Sequence, residues 1–192
     1  MRLPLLIVAT AAVSFAGPIT FSYSGIGSGT LGGTAFSNAA FTISALADTT
    51  NILAFGTGFS LIDTSASIMI TGFGTFAFTS PTRNFVNDSS HIAGFSFSTG
   101  GTSGTDLLDT TSNIALSTWA MLTSVGPVTG TGTLMQWFTV NARTKSGTLI
   151  FNNATPTITF QAIVPTPEPE GSILMLSGFA GGGLLLFLKR RH

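Results

Sequence analysis

Few residues in this chain are equipped for chemistry, so each candidate can be weighed by name. His91 stands beside Asp88, Ser89 and Ser90, the residue types of a nucleophilic triad. Neighbours on a loop point apart, however, and no G-x-S-x-G elbow presents a serine. A polar turn at Asn87-Asp88-Ser89-Ser90 carrying a solvated histidine is the expectation. Asp106, Asp109 and Asn113 offer oxygens to Ca²⁺, which takes about six to eight of them. Their spacing matches no EF-hand, and ordinary Asx turns account for the same residues. Gly27, Gly29 and Gly32 formally match G-x-G-x-x-G, but a dinucleotide site needs a helix next. Here Thr34-Ala35-Phe36-Ser37-Asn38 leads into a strand. Tyr23, Trp119 and Trp137 suit stacking on a sugar face, yet they lie in apolar runs and are expected in the core. Asn87-Asp88-Ser89 and Asn153-Ala154-Thr155 fit a glycosylation sequon, which carries little weight alone. The chain has 0 cysteines, which excludes thiolate metal sites, Fe–S clusters and cysteine nucleophiles. Catalytic residues, metal ligands and cofactors are therefore each expected to be none, and the protein is not expected to be an enzyme.

The elements that position these residues read as strands. Ile19, Phe21 and Tyr23 alternate with polar neighbours, as do Phe41, Ile43 and Ala45, and also Ile158, Phe160 and Ala162. Period two is the strand signature, and Phe and Thr suit half-buried pleated surfaces. The run from Ile68 to Thr79 continues the alternation, and Ala93, Phe95 and Phe97 repeat it. Leu134 to Val140 reads as a strand buried on both faces. Turn clusters are expected at Gly25–Gly33, Asp48–Asn51, Pro81–Asn84, Gly100–Thr105, Gly126–Gly132 and Asn152-Asn153. The stretch from Asp106 to Leu122 is ambiguous. Many short strands punctuated in this way predict an all-β fold, an antiparallel β-sandwich or jelly-roll-like ectodomain over residues 17–163.

Charged residues make up 7% of the 192-residue chain, against about 25% in an average soluble protein. The formal net charge is zero, so the electrostatic footprint of a nucleic-acid binder is missing. Between residues 17 and 166, five aspartates face Arg83, Arg143 and Lys145, leaving a net −2 that defines no partner. A secreted domain without disulfides has only its core for stability, which about 150 residues can supply.

Residues 1–16 read as a signal peptide. Arg2 is the basic start, an apolar run follows, and Ser14 and Ala16 are the small residues before a cut between Ala16 and Gly17. At the other end, residues 164–170 form a Pro-rich linker that cannot be helical. Residues 171–188 are 18 uncharged positions that reach about 27 Å as a helix, enough for one transmembrane crossing. Nine of them are Ile, Leu or Phe, together favouring insertion by about 3–5 kcal/mol. Residues 189–192 close the chain as a basic cytoplasmic tail in which Lys189, Arg190 and Arg191 stop transfer.

The triplet Pro167-Glu168-Pro169, the Gly/Leu-rich span and the Lys189-Arg190-Arg191 cluster, in that order, resemble the PEP-CTERM sorting domain. The resemblance covers about residues 164–192. It implies that Pro167, Glu168 and Pro169 are the sorting motif, recognised by an exosortase-type processing enzyme in a bacterium with an outer membrane. It further implies cleavage near the triplet after an inner-membrane intermediate, and release to the envelope or extracellular matrix. No Leu-Pro-x-Thr-Gly motif occurs, which argues against Gram-positive sortase anchoring.

The expected protein is thus an exported envelope or matrix component with a structural ectodomain. Its expected partners are the processing enzyme, the membrane and an exopolysaccharide, with nucleic acid excluded. The alternative is a carbohydrate- or calcium-dependent binding module, which requires an exposed aromatic strip or a clustered Asp loop. A secreted hydrolase would need two carboxylates converging in a cleft.

Overall fold

The computed structural model describes residues 17–166. The expected signal peptide with Ala16, the triplet Pro167-Glu168-Pro169, the expected transmembrane span 171–188 and Lys189-Arg190-Arg191 lie outside the described residues.

The chain opens with a long hairpin, β1 (Pro18–Leu31) and β2 (Thr34–Asp48). Gly32 and Gly33 turn it at φ of +58° and +86°, a left-handed backbone that glycine adopts without steric cost. A single 3₁₀ turn at Thr49–Asn51 leads to β3 (Leu53–Phe55) and β4 (Gly58–Ile70). Then follow β5 (Gly74–Ala77), β6 (Thr82–Asn87), β7 (Ile92–Gly100) and β8 (Ser103–Asp109). An irregular segment with a 3₁₀ turn at Ile114–Leu116 precedes β9 (Val125–Thr131) and β10 (Thr133–Leu134). The unit ends with β11 (Arg143–Thr144), β12 (Gly147–Phe151) and β13 (Thr157–Ile163).

Every pairing among these strands is antiparallel. The sheet runs β10-β8-β7-β6-β4-β2-β1-β12-β11. β4 joins its two halves by changing partners: Gly58 to Ile62 pair with β6, and Asp63 to Ile70 pair with β2. The ends of the path curl back towards each other. Lys145 N–H donates to the Ala77 carbonyl at 2.9 Å and Thr79 N–H to that of Arg143 at 2.8 Å, linking the end of β5 to β11. Leu134 N–H donates to the Ala154 carbonyl at 2.8 Å, linking β10 to the segment before β13. The sheet is therefore nearly closed, which removes most of its sticky edges.

Period two survives folding where it was clearest. Ile19, Phe21, Tyr23, Ile43, Ile68, Ile158, Phe160 and Ala162 are fully buried on the inner face. Their rings interlock: Tyr23 sits 4.9 Å from Phe160, Phe41 sits 4.8 Å from Phe151, and Trp137 sits 5.1 Å from Phe151. Aromatic pairs at such distances add to the gain from burial.

Other expectations fail for identifiable reasons. Most of the Gly25–Gly33 cluster is strand, and only Gly32-Gly33 turns. A side chain at Gly29 would fall on the Ile150 carbonyl oxygen of β12, so glycine is there for close approach. Pro81–Asn84 is not a turn, because Thr82 to Asn84 begin β6 and are buried through hydrogen bonds described below. Gly126–Gly132 is largely β9. The run from Ile68 to Thr79 breaks into β4, a turn at Thr71–Phe73 and β5. Leu134–Val140 keeps a single strand residue, Leu134 at the end of β10: the chain turns where Thr139 N–H donates to the Gln136 carbonyl at 3.0 Å, burying Trp137 while Phe138 stays 63% exposed.

Candidate functional site

The residues singled out for chemistry are scattered by the fold. Asn87 Oδ1 accepts from the Ser89 and Ser90 amides at 3.1 and 3.2 Å, making the turn between β6 and β7. His91 follows at φ +56°, and its carbonyl accepts from Asn113 N–H at 2.8 Å. The Ser89 hydroxyl also donates to Asn87 Oδ1, at 2.8 Å, so it serves the turn and not a relay with Asp88 and His91. Two of the three calcium candidates, Asp106 and Asn113, are engaged by other groups. Asp106 accepts from Ser96 Oγ at 2.9 Å and faces Arg83 at 3.9 Å. Asn113 accepts from Ala115 N–H at 2.9 Å, capping the 3₁₀ turn. Among the described residues, no group of three His, Cys, Asp or Glu side chains is placed to hold a metal ion. Gly27 and Gly29 lie in β1 and Gly32 in its turn, with a strand and not a helix after them. Tyr23, Trp119 and Trp137 are all in the core.

Folding assembles a different cluster, inside the sheet. Asp63 lies where β4 changes partners and accepts from Thr82 Oγ1 at 2.7 Å and from Asn84 Nδ2 at 2.6 Å. The Tyr23 hydroxyl lies 2.7 Å from Asn84 Oδ1 and 3.0 Å from the Gly94 carbonyl, sharing its proton between them. The chain Thr82–Asp63–Asn84–Tyr23–Gly94 thus ties β4, β6, β1 and β7 together across the interior. Burial pushes the Asp63 carboxyl up to about 7, although both of its hydrogen bonds pull the other way. Burial, then Asp63 and Asp109, hold the Tyr23 phenol well above its usual range. Asp109 is also pushed up to about 7, first by burial and then by Asp106, and its buried Oδ1 has no partner among the described residues. Arg83 is lowered by burial while Asp106 opposes that shift, and its guanidinium donates to the Thr102 carbonyl. Such networks rigidify a core when their members are satisfied. The one local hint of it is Asp63 amid the apolar residues of β4; its partners Thr82 and Asn84 read as turn residues from the sequence.

On the outer face, strand register lines up hydroxyls. Thr129, Thr159, Ser24, Thr42, Met69 and Thr75 stand opposite one another in turn across β9, β13, β1, β2, β4 and β5. The neighbouring row is Gln161, Ser22, Ser44, Ser67 and Ala77. Strands about 4.8 Å apart set the spacing within each row, and none of these side chains is charged.

Both ends of the described chain leave from one pole of the sheet, since Thr20 pairs with Ile163. There the Thr49 hydroxyl holds Gly17, accepting from its N–H at 2.8 Å and donating to its carbonyl at 2.9 Å. Ser124 Oγ accepts from Val164 N–H at 3.0 Å. Beside this exit is an open cleft lined by Ala115, Trp119, Leu122, Ser124 and Val125. Trp119 forms its floor, edge-on to Phe21 at 6.3 Å, with its indole N–H donating to the Thr123 carbonyl at 2.8 Å.

No family model, curated protein or solved structure matches this chain.

Proposed function

We propose that the chain is an exported component of a bacterial cell envelope or extracellular matrix, non-enzymatic and structural. In this reading the signal peptide over 1–16 directs export and is cut between Ala16 and Gly17. Residues 171–188 hold the intermediate in the inner membrane, and Lys189, Arg190 and Arg191 keep the tail cytoplasmic. An exosortase-type enzyme then recognises Pro167, Glu168 and Pro169. The observation that carries the reading is the order of the three tail elements: a proline bracket that no helix can absorb, an uncharged span of bilayer length, and a basic stop. The ectodomain suits this destination. It is a cysteine-free, nearly closed β unit that needs no oxidising partner to be stable. We class it as a β-sandwich of jelly-roll type, on the ground that β4 hands the chain from one half of the sheet to the other.

The partner that the outer face favours is a neutral exopolysaccharide. Its rows of Ser, Thr and Gln present hydroxyls and an amide at regular spacing without charge. This supports matrix contact over the alternative of a calcium-dependent module, because two of its candidate ligands, Asp106 and Asn113, are engaged by Ser96, Arg83 and Ala115.

Expression in a host with and without an exosortase tests the sorting claim. The expected outcome is an extracellular species whose intact mass has lost the span and basic tail only when the enzyme is present. Replacing Pro167 and Glu168 by alanine is expected to leave the full-length tail and a membrane-held protein. Release at equal levels without the enzyme, with the tail still attached, would falsify the reading.

A further inference from the structure

We infer that the pole from which the tail departs is a lipid-facing foot, in which Ile114 and Leu122 rest in the bilayer interface around the Trp119 cleft. The inference depends on the tether proposed above, and adds to it a contact surface on the ectodomain itself.

Three observations converge on it. The first is position. Ser124 grips Val164 at 3.0 Å, so the exit point is pinned to the loop that lines the cleft. Seven residue steps separate Val164 from Gly171, and even fully extended they span no more than about 25 Å. The edge of the cleft at Ser124, 3.0 Å from Val164, therefore stays within about that reach of the start of the span. The second is chemistry. Ile114 is 75% exposed and Leu122 50% exposed, and Ile163 beside the exit is 47% exposed. The cleft lining of Ala115, Trp119, Leu122, Ser124 and Val125 carries no charge. Exposed aliphatic side chains beside an uncharged cleft with small polar groups fit the boundary between headgroups and acyl chains. The third is construction. This loop is not loose: Asn113 caps its 3₁₀ turn at 2.9 Å, and Leu116 and Met121 are fully buried beneath it. Two large aliphatic side chains are thus held outward on an anchored loop, where water gives no reason for them.

The occupant is the bilayer that holds the tail, because chain length keeps that surface within reach throughout the membrane-bound stage. A foot of this kind would orient the linker, presenting Pro167-Glu168-Pro169 at a fixed height to a membrane-embedded enzyme.

The lack of cysteine makes the test clean. Single-cysteine variants Ile114→Cys, Leu122→Cys and Ile26→Cys of the full-length chain would carry a nitroxide label after reconstitution into phosphatidylcholine vesicles. Ile26 is 58% exposed and sits eight residues along β1 from Pro18, about 26 Å from the exit pole at 3.3 Å per residue. The expected result is a several-fold higher ratio of oxygen to water-soluble nickel-chelate collisions at 114 and 122 than at 26. Adding Leu122→Asp to the Ile114→Cys variant is expected to lower that ratio towards the value at 26. Equal ratios at all three sites in vesicle-bound protein would overturn the foot and leave the tether intact. Protein that never partitions into vesicles would overturn the tether and the foot with it. Spin–spin broadening at 122 that grows with protein density would assign the cleft to a second copy of the chain instead.

Discussion

Asp63 and Asp109 are acids whose surroundings favour the proton. The carboxyl of Asp63 is drawn out of water by the fold, and two donors at 2.6 and 2.7 Å do not fully replace the lost hydration. Both residues move from the ordinary 3.8 to about 7. For an acid raised in this way, the native protein keeps its proton where the unfolded chain has released it. The stabilisation from this source is full below about pH 4 and is lost as pH rises towards 7. Chemical denaturation across pH 4–8 is expected to show stability falling over that window. Asp63→Asn keeps an acceptor for Asn84, can donate to Thr82, and cannot ionise, so it is expected to flatten part of the slope and leave the Asp109 share. Asp63→Ala is expected to lose about 1–3 kcal/mol at low pH, because Thr82 and Asn84 are left without their partner. A wild-type slope in Asp63→Asn would remove Asp63 from this account.

Between elements, the decisive contacts are close approaches that residue type alone does not announce. β1 pairs with β13 over Thr20 to Ser24 and with β12 over Gly29 to Leu31 on one side, and on its other side its pairing with β2 shifts register between Gly27 and Gly29. Gly29 lies at the hand-over, with the Ile150 carbonyl oxygen where a Cβ would be. Gly29→Ala must push β12 away from β1, and is expected to cost about 1–3 kcal/mol, in the range of overpacking. Gly33→Ala meets no neighbouring atom within 4 Å and carries only the backbone strain of a positive φ. It is the control for that measurement: thermal unfolding should fall further for Gly29→Ala than for Gly33→Ala. The reverse order would show that turn strain, and not strand packing, limits this hairpin.

Across the whole molecule, protection is expected to follow how many neighbours a strand has. Among the described residues, β1, β2 and the second half of β4 are flanked on both sides, whereas β9 pairs only with β13 and β3 only with β4. Pro127 also lies within β9, at an edge where a missing N–H does no harm. Native-state hydrogen exchange is expected to find the slowest amides in β1 and β2, with β3 and β9 opening at much lower free energy. Uniform protection would mean that the sheet unfolds only as a single closed unit. The outer hydroxyl rows and the exit pole also belong to this scale, since both exist only once register brings distant strands together.

The all-β class was legible from the chain because alternation is local: Ile19-Phe21-Tyr23 and Ile158-Phe160-Ala162 each declare an inner face from neighbours two residues apart. The ordered tail is likewise written in linear order and needs no fold to be read. The glycine-rich strand around Gly27 to Gly29, the buried start of β6 and the Trp137 turn were not legible, because their reasons lie in other strands. Asn84 looks like a turn residue until Asp63 and Tyr23 arrive from 21 and 61 positions away. A polar side chain pays for burial only through a partner, and local sequence does not say where that partner will stand. Composition and periodicity therefore determined what kind of sheet this is. Long-range pairing alone decided which acids lost their water, which hydroxyls lined up outside, and which pole the tail leaves from.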